Sequence, residues 1–279
     1  MMGRVCPAPC QDGCNRNEVD DFVGINSVEQ YIGDTALEKG YAFEPGPSTG
    51  KKVAVIGGGP AGLSAAYQLR LKGHAVTVYE SLSDLGGMMR FGIPNYRIPR
   101  DKLAGEIKRI LDMGEIDVKL NTRVGTDVSV ADVEAGHDAV LWSIGCWTGR
   151  GLPVPGWENT PNCVSGVAFL QAFTAGRMQV TASKVVCVGG GDTSIDVVSV
   201  ARRLGHIEST NPSERPELVV NDGFVSHDAA VTAARQGADV TLTSLFPKVN
   251  MTAAEHEVND ALTEGVTILD EVMPVEVVL

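Results

Sequence analysis

The chain has 279 residues, with 23 Lys and Arg against 35 Asp and Glu, which gives a formal net charge of −12. The length is sufficient for about two domains, and the acidic balance argues against nucleic acid or an anionic membrane surface as the main partner. The sequence has no apolar run approaching the roughly 20 residues of a membrane-spanning helix. Its polar N-terminal segment lacks the apolar core of a signal peptide. We therefore expect a cytoplasmic protein.

The six cysteines are unevenly distributed along the chain. Three lie close together at Cys6, Cys10 and Cys14, and we expect the other three to be ordinary small apolar residues. A secreted disulfide scaffold would be shorter and more evenly cross-linked. The N-terminal spacing therefore indicates a local metal site in a reduced protein. An iron–sulfur cluster commonly takes four thiolates, one more than this segment offers, so zinc or three free thiols remain alternatives.

The first 50 residues precede any nucleotide-binding pattern. Residues 1–24 are polar and have no clear period. Residues 25–40 are predicted to form a helix, because their apolar side chains fall roughly on one face and a glycine ends the run. Residues 43–51 contain two Pro and two Gly and are predicted to be a linker.

A strand–helix–strand unit follows, with strands predicted at 53–56 and 75–80 and a helix at 63–72. Such a crossover requires a parallel sheet. The turn before the helix reads Gly57-x-Gly59-x-x-Gly62. In this motif the first glycine permits a tight turn, the second lets the backbone approach a pyrophosphate, and the third lets helix and strand pack closely.

The same unit carries an acidic residue where a dinucleotide would need one. Glu80 ends the second strand, where its carboxylate could accept hydrogen bonds from ribose hydroxyls. The helix N-terminus would hold the pyrophosphate. A purely structural turn is the alternative, but strand, turn, helix, second strand and acid all stand in register. We therefore predict dinucleotide binding.

The residues after Glu80 favour FAD as that dinucleotide. Residues 81–100 are predicted to be a loop rich in Gly, Pro and Arg, and Gly87 completes a Gly-Gly pair within ten residues of the acid. A helix is predicted at 101–114, and strands at 116–124 and 138–144. An acid followed by Gly-Gly, and a later strand that ends in small residues, are common in FAD-binding two-domain flavoproteins.

A second strand–turn–helix unit begins near residue 184. The turn reads Gly189-x-Gly191-x-x-Ser194, the helix is predicted at 193–204 and the next strand at 238–242. A polar stretch at 206–225 and a helix at 228–236 are predicted between them. A helix at 252–264 and a strand at 266–270 are predicted to follow.

A nicotinamide nucleotide is the expected ligand of this second turn, since FAD is assigned to the first. Asp192 stands inside the turn. Its carboxylate would be mildly unfavourable if it pointed at the phosphates, and it could instead bond ribose or backbone amides.

Four segments, taken in order, carry a resemblance to a known family: GRVCPAPC, VAVIGGGPAGLSAAYQL, LGGMMRFGIPNYRIP and VVCVGGGDTSIDVV. The chain resembles the small (beta) subunit of bacterial NADPH-dependent glutamate synthase and its relatives, except at about 206–227. The resemblance implies an α/β fold with two Rossmann-like units on parallel sheets, preceded by a short helical iron–sulfur segment. It also implies FAD on the first unit, NAD(P)H on the second and two 4Fe–4S clusters in an N-terminal domain. Hydride would pass between NAD(P)H and FAD, and single electrons would pass through the clusters.

The family's functional residues carry over onto matching positions. The FAD contacts would be Gly57, Gly59, Pro60, Ala61, Gly62, Glu80, Gly87 and Arg90. Near the flavin ring would lie Gly92, Ile93, Pro94 and Arg97. The nicotinamide nucleotide would contact Gly189, Gly191, Asp192 and Thr193. Cys6, Cys10 and Cys14 would be cluster ligands. We nominate no catalytic side chain, because the flavin carries the hydride chemistry.

The resemblance divides the chain into a partial iron–sulfur segment at 1–45, a first part of an FAD domain at 46–182 and an incomplete NAD(P) domain at 183–279. Family members have a further cysteine-rich segment before GRVCP and run beyond this C-terminus. We therefore expect the sequence to be an internal fragment.

One departure from the family concerns the nicotinamide nucleotide. Relatives that prefer NADPH carry Tyr-Arg-Arg after the strand matching VTL, where arginines can bind the 2′-phosphate. Leu245 and Phe246 replace that arginine pair here. We therefore predict a weakened preference for NADPH, with NADH accepted.

Together these features predict an NAD(P)H-dependent FAD oxidoreductase with an electron-accepting or electron-donating partner subunit. That partner would be a glutamate synthase large subunit or a sulfite-reductase-type complex. The insertion at 206–227 and the altered phosphate pocket resemble the branch associated with sulfur oxidation by reverse-type dissimilatory sulfite reductase. A non-catalytic electron-relay fragment is a further alternative. A flavin disulfide reductase is set aside, because LGGMMRFGIPNYRIP has no cysteine pair.

Overall fold

The computed structural model of the chain describes residues 1–158, 160, 163–176, 184–203 and 238–278. They fall into two compact units. Unit 1 comprises Met1–Phe91 and Asn95–Gly145, and unit 2 comprises Gly92–Pro94 and Cys146–Leu279. The polar stretch and helix predicted at 206–225 and 228–236 lie outside the described residues.

Unit 1 is built on a four-stranded parallel sheet with the order β3-β2-β1-β4 in the described part of the chain. Its strands are β1 (Lys52–Ile56), β2 (Ala75–Tyr79), β3 (Ile116–Lys119) and β4 (Ala139–Trp142). Its helices are α1 (Met2–Val5), α2 (Pro9–Asp12), α3 (Ile25–Glu38), α4 (Pro60–Leu71), α5 (Met88–Phe91), α6 (Arg100–Leu111) and α7 (Val130–Ala135), with a 3-10 turn at Asn15–Glu18.

The central strand β1 is a nearly continuous apolar run, as expected for a parallel strand covered on both faces. Its residues Val53–Ile56 are all buried. Val53 pairs with Val76 of β2 on one side and with Ala139 of β4 on the other. This arrangement places the glycine-rich turn after Ile56 at the carboxyl edge of the sheet, where ligands bind in open α/β folds.

Helix α3 forms where it was predicted. It has no buried residue, and Ile25, Val28 and Ile32 on its apolar face are 40%, 54% and 61% exposed. Periodicity identifies an amphipathic helix but does not identify what covers it. The predicted loop 81–100 contains a short helix, α5, which ends at the buried Phe91.

Unit 2 is built on a three-stranded parallel sheet with the order β5-β6-β7 within the described residues. Its strands are β5 (Lys184–Val188), β6 (Asp239–Thr243) and β7 (Thr267–Leu269). Its helices are α8 (Gly166–Thr174), α9 (Asp192–Arg203) and α10 (Glu255–Thr263), with a 3-10 turn at Lys248–Asn250.

The core of unit 2 lies where α9 and α10 pack on the sheet. Ile195 and Val198 of α9, Val240 and Leu242 of β6, and Val258 of α10 belong to one buried apolar cluster. The two parallel sheets with Rossmann-like strand–turn–helix units confirm the predicted α/β fold class. No helix among the described residues is both long and apolar enough to span a bilayer.

Candidate functional site

The first glycine-rich turn connects β1 to α4, and the protein itself requires two of its glycines. Gly57 has φ +107°, and a Cβ there would lie 2.3 Å from the Ser143 carbonyl oxygen. A Cβ on Gly62 would lie only 1.9 Å from the Gly57 carbonyl oxygen. Side chains at either position would therefore collide with backbone atoms, which explains the close strand–helix packing of this motif. Ser143, whose backbone closes this contact, was not among the predicted site residues.

The middle glycine of the motif has a different role. Gly59 has φ −76° and ψ −173°, and a Cβ there would meet nothing closer than the Gly87 Cα at 3.7 Å. The fold therefore tolerates a side chain at Gly59. Because glycine has none, a ligand can approach the backbone of the turn closely. Gly87 lies opposite Gly59. Its φ is +50°, and a Cβ on Gly87 would lie 2.7 Å from the Gly59 Cα.

The start of α4 offers main-chain donors to an anion. Gly59 is the N-cap, Pro60 occupies the first turn and no side chain caps the helix. The amides of Ala61 and Gly62 belong to the first turn, where N–H groups lack intrahelical acceptors. The helix dipole adds partial positive charge at this end. These features fit a pyrophosphate at the mouth of the turn.

Glu80 holds the turn against the end of β2. Its carboxylate is buried, and Oε2 accepts a hydrogen bond from the Gly58 amide at 2.8 Å. Oε1 accepts from the Leu82 amide at 2.8 Å and from Ser81 Oγ at 3.3 Å. A carboxylate has about four acceptor positions, so Glu80 keeps capacity for a ribose hydroxyl. That ribose contact stays a prediction.

Two arginines are buried beside the Gly-Gly loop. Arg90 Nε donates to the Leu85 carbonyl oxygen at 2.6 Å. Burial lowers the pKa of the Arg90 guanidinium, while Asp84 acts in the opposite direction. Arg100 falls at the end of the predicted loop 81–100, but it begins α6 and is equally buried. An arginine in a loop is ordinarily expected in solvent, so no sequence feature distinguished it.

The segment predicted to lie near the flavin ring follows α5. Gly92 and Pro94 are buried, whereas Ile93 and Arg97 are half-buried. Gly92–Pro94 are grouped with unit 2 and Arg97 belongs to unit 1. Their position beside a flavin stays a prediction.

The second glycine-rich turn reproduces the main-chain geometry of the first. The Gly189 amide donates to the Thr243 carbonyl oxygen at 2.8 Å, as the Gly57 amide donates to the Tyr79 carbonyl oxygen at 2.8 Å. Gly189 has φ +138°, and a Cβ there would lie 2.6 Å from Ser194 Oγ. Both turns therefore link the end of one strand to the end of its parallel neighbour.

Asp192 begins α9 and is exposed together with Thr193. Its Oδ1 accepts a long hydrogen bond, 3.4 Å, from the Ala254 amide. The carboxylate is thus bonded to a backbone amide, one of the two arrangements that the sequence allowed. A Cβ on Gly191 would lie 3.3 Å from Thr252 Oγ1.

The residue after β6 differs in charge from the residue after β2. Ser244 is buried, and a Cβ on Gly190 would lie 2.9 Å from Ser244 Oγ, so the hydroxyl occupies the place that the Glu80 carboxylate takes beside Gly58. Ser244 Oγ donates to the Phe246 carbonyl oxygen at 2.8 Å. Leu245 and Phe246 are 57% and 58% exposed. The exposed positions after β6 are therefore apolar, and their place beside a 2′-phosphate stays a prediction.

The N-terminal cysteines were predicted to hold a metal. Cys6 Sγ accepts a hydrogen bond from the Ala8 amide at 3.4 Å. Backbone N–H groups, that of Val23 foremost, lower the pKa of the Cys14 thiol. Yet no group of three or more His, Cys, Asp or Glu side chains among the described residues is arranged to hold a metal ion. Cys6, Cys10 and Cys14 are therefore not gathered into a donor set, and their metal role stays a prediction.

The other cysteines behave unequally. Cys187 on β5 is the small apolar residue that was expected, and burial raises the pKa of its thiol to about 11. Cys163 is half-buried. Cys146 is exposed, so its expected apolar packing is wrong.

Comparison with known proteins gives the family. Residues 51–278 match the family model described as pyridine nucleotide-disulphide oxidoreductase. The chain is 38% identical over 230 residues to the NADP(+)-dependent formate dehydrogenase subunit beta of Moorella thermoacetica, covering 74% of this chain and 32% of that protein. It is 37% identical over 228 residues to glutamate synthase (NADH) of Saccharomyces cerevisiae, covering 78% of this chain and 10% of that protein.

A solved structure shares the fold. Mycobacterium tuberculosis FprA in complex with NADPH matches with a TM-score of 0.60 and 21% identity, over 77% of this chain and 48% of that chain. This chain spans a third or less of the two relatives by sequence. The glutamate synthase match agrees with the resemblance seen in the motifs, and the family model covers both glycine-rich turns. The chain belongs to the pyridine nucleotide-disulphide oxidoreductase family.

Proposed function

We propose that this chain is the nucleotide-binding part of an electron-transfer subunit, which binds FAD on the first glycine-rich turn and NAD(P)H on the second. The observation that carries the proposal is the repeated geometry of the two turns in one chain. In both, the first glycine of the motif donates to the neighbouring strand across 2.8 Å. One flavin and one nicotinamide nucleotide are the complement that a hydride-transfer reaction requires.

The residues of the first turn fit FAD. The amides at the start of α4 bind the pyrophosphate, the bare backbones of Gly59 and Gly87 admit it, and Glu80 binds the adenosine ribose. When bound, FAD supplies the ring that accepts a hydride and releases electrons singly. The chain's own residues bind and orient the cofactor, and Arg90 lies within the loop that continues from Gly87.

The residues of the second turn fit a nicotinamide nucleotide. Gly189 and Gly191 give the phosphates access to the backbone, and Thr193 stands in the first turn of α9. The bond from the Ala254 amide holds the Asp192 carboxylate and reduces its repulsion of phosphate. We propose residues 46–182 as the FAD region and 183–279 as the NAD(P) region.

The electron acceptor is proposed to be a partner subunit of the glutamate synthase type. The name of one relative supports a multisubunit assembly, since it is a formate dehydrogenase subunit beta. The sulfur-oxidation alternative depends largely on residues 206–227, which lie outside the described part of the chain. Its support on the described residues is limited to Leu245 and Phe246, which replace the arginine pair after β6.

A 4Fe–4S cluster on residues 1–45 completes the proposal, with Cys6, Cys10 and Cys14 among its ligands. Backbone N–H groups directed at Cys6 and Cys14 support this role, because such bonds tune iron–sulfur clusters. The described thiols do not form a donor set, so the cluster is supported by the resemblance and by these backbone bonds alone. Iron and acid-labile sulfide analysis tests the cluster, and stoichiometric zinc without sulfide would contradict it.

The test of the whole proposal separates the two turns. The chain is purified with FAD, and flavin absorbance near 450 nm and dye reduction by NADH and NADPH are measured. Gly62→Val should abolish flavin retention. Gly189→Val should retain flavin but lose its reduction by NAD(P)H. Gly33→Ala, on α3 with only a side-chain atom 3.7 Å from a new Cβ, serves as the control.

Each outcome of that test has a distinct meaning. A wild-type chain that takes up no FAD overturns the proposal. A chain that holds FAD but is reduced by neither nucleotide is the non-catalytic electron relay. Loss of flavin in Gly189→Val at unchanged thermal stability would show that the two turns are not separate sites.

A further inference from the structure

One side chain donates hydrogen bonds to the backbone on both sides of the segment that is predicted to face the flavin. Arg100 is the first residue of α6, and its Nη1 donates to the Ile98 carbonyl oxygen at 2.9 Å and to the Met89 carbonyl oxygen at 3.2 Å. Residues 90–97 lie between these two acceptors. One nitrogen thus bridges the start and the end of that segment.

Arg100 and apolar side chains near its two acceptors are buried. Phe91 and Ile98 are each at most 1% exposed, and Leu103, one turn into α6, is equally buried. Arg100 itself is 8% exposed. Met89, Ile98 and Arg100 all belong to unit 1. Fixing both ends removes part of the conformational freedom of the intervening chain, which would otherwise have to be lost when a ligand binds.

A second buried arginine, Arg90, makes a bond of its own to the chain beside the Gly-Gly loop. Arg90 Nε donates to the Leu85 carbonyl oxygen at 2.6 Å, and a Cβ on Gly86 would lie 3.0 Å from the Arg90 Cβ. Together the two guanidiniums hold three carbonyl groups between the loop and α6. Burial, and then the nearby Arg90, lower the pKa of Arg100 to about 10. Arg100 therefore keeps its charge, and the strength of its charge-assisted bonds, at neutral pH.

We propose that Arg100 is a positioning residue of the flavin site, which fixes segment 90–97 in its ligand-facing shape by bridging Met89 and Ile98. The inference rests on the proposed function, because the segment is assigned to the flavin there. Arg100 acts through the backbone carbonyl groups of Met89 and Ile98. The planar guanidinium presents donors in a fixed geometry that a flexible ammonium does not reproduce.

The experiment compares Arg100→Gln with a matched control, Arg70→Gln. Arg70 is also buried in unit 1, at 3% exposed, and also donates to a carbonyl, that of His74 at 2.9 Å, but it lies at the C-terminal end of α4. Two readouts are used on the whole 279-residue chain. The first is the rate of tryptic cleavage after Arg90 and Arg97 without cofactor, and the second is the visible circular dichroism of bound FAD.

Arg100→Gln is expected to raise the cleavage rate within 90–97 about tenfold or more, since local opening controls proteolysis. It is also expected to diminish the flavin dichroism at saturating FAD. Arg70→Gln should lose stability but leave both readouts near wild type. Equal cleavage rates in the two variants, or unchanged dichroism in Arg100→Gln, would overturn the inference.

If Arg100→Gln does not fold, Arg100→Lys and Arg70→Lys decide the matter. The lysine at position 100 keeps the charge but is expected to give faster cleavage and weaker flavin dichroism than wild type, and identity with Arg70→Lys would refute the proposal. A wild-type chain that binds no FAD would overturn the proposed function and the flavin part of this inference. Equal trypsin rates would overturn the inference alone.

Discussion

Gly58 donates its amide hydrogen to Glu80 Oε2 across 2.8 Å, and both residues are buried. The bond joins the glycine-rich turn to the end of β2 within the protein itself. Because Glu80 also accepts from the Leu82 amide, its carboxylate is a structural element before any ribose reaches it. Its contributions to folding and to FAD binding should therefore be separable.

Glu80→Ala is expected to lower the free energy of unfolding by about 1–3 kcal/mol, because the buried Gly58 amide loses its acceptor. It should also weaken FAD binding about tenfold or more, since a ribose hydrogen bond to a carboxylate is lost as well. Glu80→Gln keeps one acceptor oxygen and should lose less of both. Denaturant unfolding and fluorescence titration of the apoprotein with FAD measure the two effects.

Asp117→Ala is the control for Glu80, because Asp117 is an exposed carboxylate on β3 that pairs with Lys119. An exposed ion pair contributes little to stability. If Glu80→Ala and Asp117→Ala bind FAD equally well, the proposed ribose contact is wrong.

Substitution of Gly59 should weaken FAD binding, whereas substitution of Gly62 should lower the stability of the apoprotein. Gly59→Ala places a Cβ no closer than 3.7 Å to its neighbours in an allowed conformation, so the apoprotein should keep its stability. The new methyl group would occupy the space of the pyrophosphate, and FAD affinity should fall about tenfold or more, in line with the cost of a misplaced ligand. Thermal unfolding without FAD and a binding titration test this.

Gly62→Ala should instead destabilise the apoprotein, since its Cβ would lie 1.9 Å from a backbone oxygen and overpacking of this kind typically costs about 1–3 kcal/mol or more. Equal loss of apoprotein stability in Gly59→Ala and Gly62→Ala would contradict the division of roles between the two glycines.

Features fixed by local backbone geometry could be predicted from the sequence, whereas features fixed by tertiary contacts could not. The turns at Gly57 and Gly189 were predictable because local backbone geometry fixes both their residue types and their spacing. The exposed face of α3 was not, because a helical period is local whereas its covering is tertiary. Arg100 was missed for the same reason: its burial depends on carbonyl groups that Met89 and Ile98 bring together from the two ends of a loop.

The choice between NADH and NADPH should respond to positions 245 and 246. Leu245→Arg combined with Phe246→Arg would place two guanidiniums on exposed positions after β6, where they can bind a 2′-phosphate. The ratio of kcat/KM for NADPH to that for NADH should rise about tenfold, since one charge-assisted bond is worth about 1.5–3 kcal/mol. Steady-state kinetics with both nucleotides measure the ratio.

The control for that change is Leu245→Gln combined with Phe246→Gln, which removes the apolar surface without adding charge. It should leave the ratio near wild type. A wild-type chain that already shows a strong kcat/KM preference for NADPH would contradict the prediction that NADH is accepted.

Cys14 and Cys187 should respond oppositely to pH when the chain is alkylated. Backbone N–H groups stabilise the Cys14 thiolate and lower the pKa of that thiol, so its alkylation should persist below the ordinary thiol range near pH 8.5. Burial raises the pKa of Cys187 to about 11, so Cys187 stays protonated and should react only as the pH approaches that value or the chain unfolds. Iodoacetamide labelling from about pH 6 to 10, with peptide mass spectrometry, measures both in one sample.

Cys14→Ser controls for the assignment, and equal labelling of the two cysteines at about pH 7 in the folded chain would refute the prediction. A 4Fe–4S cluster bound at Cys14 would protect it from iodoacetamide, so the same labelling after removal of iron by a chelator also reports whether Cys14 is a ligand.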